Sequence, residues 1–174
     1  MDIIKVIDLL GEKNQDFDSY DNSIYGSLGT ILFQIGYFNL KRKSIDRYLI
    51  SFSKTFEKHY LYNNSNETYS SGFLSFGLIY RYLFNFRFIE RDLEFESMIH
   101  HVCVISGNAL LKSKNYDFMH GATGIVYYLL EEDNLDEESI QFLNNYLQSL
   151  YDNRIITEKG IAWEDTYQKS KGID

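Results

Sequence analysis

Proline is absent from all 174 residues, where average usage at this length gives about nine. Proline interrupts helix interiors, so its absence suits an all-helical chain, although an AT-rich genome would leave the same gap. Cysteine is nearly absent too. Cys103 stands alone, which excludes an intramolecular disulfide and any Cys-x-x-Cys zinc or redox motif. Among Val102, Val104 and Ile105 it reads as a buried, inert thiol rather than a nucleophile. Positive charge is in deficit: 17 Lys and Arg against 25 Asp and Glu give a formal net charge of −8. A nucleic-acid partner would call for a basic stripe, so that class is excluded, and an acidic cytoplasmic protein is expected. Uninterrupted apolar runs are also missing. The charge-free window 22–40 has the length of a membrane span, but Ser23, Ser27, Thr30, Gln34, Asn39 and three glycines break it. A buried core helix is expected there, and no membrane span. The start, Met1-Asp2-Ile-Ile-Lys5, carries charges where a signal peptide needs an apolar stretch.

Aromatic residues are plentiful, with 15 Tyr and 13 Phe, enough apolar area for a core. The charges fall in bands. Residues 22–40, 68–80 and 118–130 have none, whereas 41–58, 90–96 and 131–138 are rich in them. A helix apolar all round is buried, and one with a single apolar stripe lies outside. The chain therefore reads as alternating inner and outer helices. After an opening helix near 2–10, three pairs are expected: 24–38 with 43–60, 70–87 with 93–111, and 118–131 with 136–151. The outer stripes run Ile45, Tyr48, Leu49, Phe52, Phe56, Tyr60 and Ile140, Leu143, Tyr146, Leu147, Leu150. Residues 153–163 read as a short hairpin or extended loop, with Gly160 near the turn and Trp163, the one tryptophan, at its end.

Each inner helix opens on a similar segment: Ser23-Ile-Tyr-Gly26-Ser-Leu-Gly29, Ser70-Ser71-Gly72-Phe-Leu-Ser75-Phe-Gly77, and Asp117-Phe-Met-His120-Gly121-Ala-Thr-Gly124-Ile125. Repetition at this spacing is the mark of a repeat architecture, in which each unit buries its apolar face against its neighbours. The repeats span about 20–62, 66–113 and 116–152 of one helical-repeat domain, with an extended loop over 153–174. Ser23, Ser70 or Ser71, and Asp117 are suitable N-caps. Gly26, Gly29, Gly72, Gly121 and Gly124 leave space for a close approach, either tight helix packing or a substrate groove. Only the third segment joins a carboxylate to an imidazole. Asp117 and His120, three residues apart, can face one rim as an acid–base pair, or serve as a plain helix cap and a structural histidine. His59, His100 and His101 form no ligand cluster, so no metal site is expected.

These segments resemble the lanthionine synthetase C family and its lanthionine synthetase C-like relatives. Asp117-Phe-Met-His-Gly121-Ala-Thr-Gly124-Ile125-Val-Tyr-Tyr-Leu-Leu130 is the closest piece, and Thr68-Tyr-Ser-Ser-Gly72-Phe-Leu-Ser-Phe-Gly77 resembles the second repeat. The resemblance implies an α/α toroid, here partial, of about three to four hairpins. It implies a zinc-dependent cyclase that adds peptide Cys thiols to dehydrated Ser or Thr in lanthipeptide maturation. Zinc lowers the thiol pKa in such enzymes, and an acid and a histidine handle protons. Asp117 aligns with the family's acid. The family's zinc ligands, two cysteines and a histidine, come from later repeats, and Cys103 on an outer helix does not replace them. The expectation is therefore the N-terminal half of such a cyclase, without a cofactor of its own and inactive alone. Its partners would be a lanthipeptide precursor or other peptide, and a C-terminal half or a second copy. Two other readings are a non-catalytic helical-repeat module that binds a peptide or protein, and a half-toroid from a glycosidase. The glycosidase would need paired carboxylates, and Asp117 has no evident inner-rim partner.

Overall fold

The computed structural model describes residues 26–62, 72–132, 134–164 and 166. The expected opening helix and the capping serines Ser23, Ser70 and Ser71 lie outside them. The helices are α1 (Ser27–Leu40), α2 (Asp46–Tyr62), α3 (Phe73–Asn85), α4 (Leu93–Lys112), α5 (Ala122–Leu130) and α6 (Glu137–Asp152). A ribbon of β1 (Ile155–Thr157) and β2 (Gly160–Ala162) follows. The chain divides into two compact units, 1–66 and 67–174.

In the first unit α1 packs on α2. Leu28, Ile31 and Ile35 recur at helical spacing and are buried, as are Tyr48 and Phe52 of α2. The Phe38 and Tyr48 rings meet 5.1 Å apart.

In the second unit α3 pairs with α4, and α5 with α6. The same hairpins join side by side: α3 touches α5, and α4 touches α6. This is the inner/outer alternation read from the charge bands. Helix α3 is buried continuously from Phe73 to Gly77, as a helix apolar all round must be. Gly77 permits the approach, since a Cβ there would stand 2.7 Å from Tyr128 Oη and 2.8 Å from Ile99 Cγ2. The all-α class and the hairpin unit of a partial toroid are both present. No helix among the described residues is long and apolar enough to cross a membrane.

Carboxylates start two outer helices. Asp92 Oδ1 accepts from the Phe95 N–H at 3.0 Å, and Asp136 Oδ1 from the Ser139 N–H at 2.7 Å. Each satisfies an amide that has no partner within the helix.

Three helices end in the same way. Arg42, Arg87 and Lys114 have φ of 54°, 59° and 57°. After α1, the Arg42 N–H reaches the Asn39 carbonyl and the Lys43 N–H the Phe38 carbonyl, both at 2.9 Å. After α3, Arg87 reaches Phe84 and Phe88 reaches Leu83, both at 2.8 Å. After α4, Lys114 reaches Leu111 at 3.0 Å and Asn115 reaches Leu110 at 2.9 Å. Each is a Schellman motif with a basic residue in the left-handed position that usually takes glycine. The cation's attraction to the negative helix end partly offsets the strain.

The structure corrects two expectations. Asp117 is not the N-cap of α5, a position that Gly121 holds. The stripe on α6 is also shifted: Ser139, Phe142 and Tyr146 are buried, whereas Ile140 and Leu147 are exposed. The buried row keeps helical spacing, but its centre is Phe142, which packs over Gly107 of α4. The hairpin is as expected, with Thr157 paired to Gly160. Gly160 takes a φ of 132° that suits glycine alone.

Candidate functional site

The loop from α4 to α5 begins at the Lys114 turn, and Asn115 then organises it. The Asn115 Oδ1 accepts from the Asp117 N–H at 3.1 Å, and its Nδ2 donates to the His120 carbonyl at 2.9 Å. The Asn115 carbonyl accepts from the Ala122 N–H at 3.0 Å. One residue thus ties both ends of the turn to the start of α5.

Within that turn Asp117 Oδ1 accepts from the His120 N–H at 2.6 Å and lies 3.3 Å from His120 Nδ1. The pair read from the sequence is brought together. Each side chain keeps contact with solvent, about a third for Asp117 and two-fifths for His120. Gly121 explains how the turn closes. A Cβ on it would stand 2.4 Å from Asn115 Oδ1 and 2.6 and 2.7 Å from Asp117 N and O. The close approach expected at this glycine is made by the chain's own loop. Gly124 is buried one turn into α5, Gly72 is buried at the entrance to α3, and Gly26 caps α1 with Gly29 following it in the first unit.

Beside Asp117 lies a cavity of about 340 Å³. The loop supplies Tyr116, α5 supplies Thr123, α6 supplies Tyr146 and Leu150, and the segment after the ribbon supplies Trp163, Glu164 and Thr166. Thr123 Oγ1 donates to the Tyr116 carbonyl and shares a hydrogen bond with Tyr146 Oη at 2.9 Å. Tyr116 Oη donates to the Ser149 carbonyl at 3.2 Å, Trp163 Nε1 to the Leu150 carbonyl at 2.8 Å, and Thr166 Oγ1 to the Lys114 carbonyl at 2.9 Å. Sequence reasoning singled out Trp163 but did not connect it or Asn115 with Asp117.

A second polar cluster also went unread. Arg81 of α3 stacks over the Tyr128 ring at 4.1 Å. It bonds Glu131 at 3.0 Å, the Tyr128 carbonyl at 3.1 Å, and Glu132. His100, buried on α4, faces Glu132 Oε1 across 3.5 Å. The His100 imidazole and the Arg81 guanidinium hold the Glu132 carboxyl below the usual range, against the opposing effect of burial. Burial pushes the Tyr128 phenol far up.

Zinc finds no fit here. Among the described residues no three His, Cys, Asp or Glu converge as a metal would need. Cys103 is buried on α4, and His101 pairs with Glu138 at 3.1 Å. No step through a metal is derived from these residues.

A family model described as lanthionine synthetase C-like protein matches residues 18–173. The chain belongs to that family. No curated protein and no solved structure matches it. The lanthionine synthetase C-like match covers the Asp117 turn, both glycine-led helices of the second unit and the ribbon.

Proposed function

We propose that this lanthionine synthetase C-like chain supplies the Asp117 part of a cyclase that joins peptide Cys thiols to dehydrated Ser or Thr. The observation that carries the reading is the carboxylate–imidazole pair, Asp117 Oδ1 to His120 Nδ1 at 3.3 Å, ahead of Gly121 and beside an open cavity. A carboxylate on Nδ1 fixes the ring and directs proton exchange to Nε2. In the addition, the thiolate sulfur bonds to Cβ of the dehydro residue, and the electron pair moves to Cα and its carbonyl. His120 then returns the proton lost by the thiol to Cα, and Asp117 stabilises the imidazolium. The peptide would lie along the helix entrances of the second unit, which Gly72, Gly121 and Gly124 mark. The reaction is cytoplasmic in this reading.

The family's metal requires two cysteines, so this chain, with Cys103 alone, closes no ring by itself. A C-terminal half or another protein completes the site. The runner-up is a non-catalytic module that binds a peptide or protein partner. One assay separates the two: a dehydrated precursor peptide is incubated with the complete protein, and its free thiols are alkylated and weighed. Asp117→Asn should fold as the parent does and lose at least about a hundredfold in ring closure, the scale of general acid–base assistance. Equal rates for both proteins would remove Asp117 from the mechanism.

A further inference from the structure

Asp117 Oδ1 serves two groups of one residue. It accepts from the His120 N–H at 2.6 Å and faces the His120 ring nitrogen Nδ1 at 3.3 Å. A single oxygen atom thus couples the backbone of residue 120 to its own ring. The distance from carboxylate to imidazole is therefore set by how the main chain is held at residues 117 and 120. Small errors there are costly, since a displacement of about 1 Å in a reacting group can lose about a hundredfold in rate.

Asn115 holds the main chain at both places. Its Oδ1 accepts from the Asp117 N–H at 3.1 Å, and its Nδ2 donates to the His120 carbonyl at 2.9 Å. A side-chain amide offers a donor and an acceptor at a fixed separation in one plane. The flipped amide would set donor against donor and acceptor against acceptor, so one orientation alone fits. Gly121 leaves room for this amide, because a Cβ there would stand 2.4 Å from Asn115 Oδ1. Serine at this place would still accept from the Asp117 N–H, as in a serine turn, but would not bridge to the His120 carbonyl. Alanine would make neither bond. The entry to α5 is held separately, since the Ala122 N–H bonds the main-chain carbonyl of Asn115 at 3.0 Å. We infer that Asn115 is the positioning residue of this site, its side-chain amide keeping the Asp117 carboxylate and the His120 imidazole in register for proton transfer. The inference rests on the cyclase reading for the reaction it serves, whereas the register is measurable without turnover.

The test is a double-variant cycle in the complete protein: the parent, Asn115→Ala, Asp117→Asn and both together. The histidine ring nitrogens carry an isotope label, and the His120 signals are identified by their loss in His120→Gln. Circular dichroism confirms that each variant is folded, and Asn115→Ser takes the place of Asn115→Ala if alanine unfolds the protein. Asn115→Ala should move the His120 ring signals in the direction in which Asp117→Asn moves them, and the double variant should move them no further. In the thiol-alkylation assay Asn115→Ala should lower kcat at least about tenfold and leave KM within about twofold. It should cost nothing more in the Asp117→Asn background, because it acts through that carboxylate. A residue that only stabilised the turn would slow both backgrounds by the same factor. That result, or His120 ring signals that stay where the parent has them, overturns the inference. A parental rate in Asp117→Asn overturns the cyclase reading alone, and the ring signals then decide the role of Asn115.

Discussion

Phe142 of α6 packs against Gly107 of α4, so that a Cβ on the glycine would stand 2.5 Å from two carbons of the ring. Phe142 is fully buried. The two outer helices of the second unit therefore approach through one large and one absent side chain. A glycine in mid-helix costs about 1 kcal/mol relative to alanine, and here that cost allows the Phe142 ring its place.

Gly107→Ala should destabilise the protein despite the better helix propensity. Overpacking of this kind costs roughly 1–3 kcal/mol, which outweighs the propensity gain. The check is a urea titration of the parent, Gly107→Ala, Phe142→Ala and the double variant. In the double variant the alanine fits, so the two effects should fall short of their sum. Additive effects would show that the contact is not the cause.

Gly121→Ala should act on the Asp117 turn. The new methyl would collide with Asn115 Oδ1 and the Asp117 backbone, and a backbone cannot swing away as a flexible side chain can. Hydrogen exchange at the Asp117 and His120 amides, both held in the turn, should speed up by more than about tenfold. Exchange within α6 should change little. Unchanged exchange at those two amides would mean that the turn tolerates the methyl.

Lys114→Gly should stabilise the protein by roughly 0.5–1 kcal/mol. It removes the cost of a side chain at positive φ, less glycine's greater freedom when unfolded. Lys114→Ala keeps the side-chain strain and should stabilise nothing. Thermal midpoints of the two variants decide the matter. A gain in both would show that left-handed strain at this position is not the cause, and loss of the cation from an acidic chain would act in the opposite direction.

Stability should decline in acid through two identified groups. Glu132 is held below its ordinary value of 4.5 by His100 and Arg81, and Asp136 below 3.8 by the Ser139 N–H. A carboxyl with a depressed folded pKa binds protons more readily when unfolded. Its contribution is complete above the ordinary value and lost as pH falls through the depressed one. Glu132→Gln should therefore lower stability near neutral pH and flatten the acid limb. Denaturant midpoints across pH 2–7 test it, and an unchanged slope would exclude Glu132.

The layout of helices was legible because it follows from where charge is absent. Residues 68–80 carry none, and α3 is buried there all along its first turns. The Asp117–His120 pairing was legible because three residues span one turn. The capping role of Asp117 was misread, since the same residue types satisfy a loop turn or a helix start. Nothing in the composition marks Lys114, Arg87 or Arg42 as left-handed, because glycine, the usual signal, is absent there. Asn115 read as ordinary loop material, and its function depends on three partners that only the folded turn supplies. The row on α6 was misassigned because Ile140 and Leu147 share one broad apolar side of that helix with Phe142 and Tyr146. Gly107, eleven residues short of Phe118 in sequence, selects Phe142 by shape alone.

The Lys114 turn fixes Asn115, and Asn115 fixes Asp117, so the bearing of the carboxylate is inherited from the point at which α4 stops. One residue inserted into α4 would rotate everything beyond it by about 100° around the helix axis. The acid and its cavity, whose lining residues all follow α4, would then turn together away from α3 with every local bond of the turn still intact. In this part of the molecule the length of a helix is as much a determinant of where a carboxylate stands as the residue that carries it.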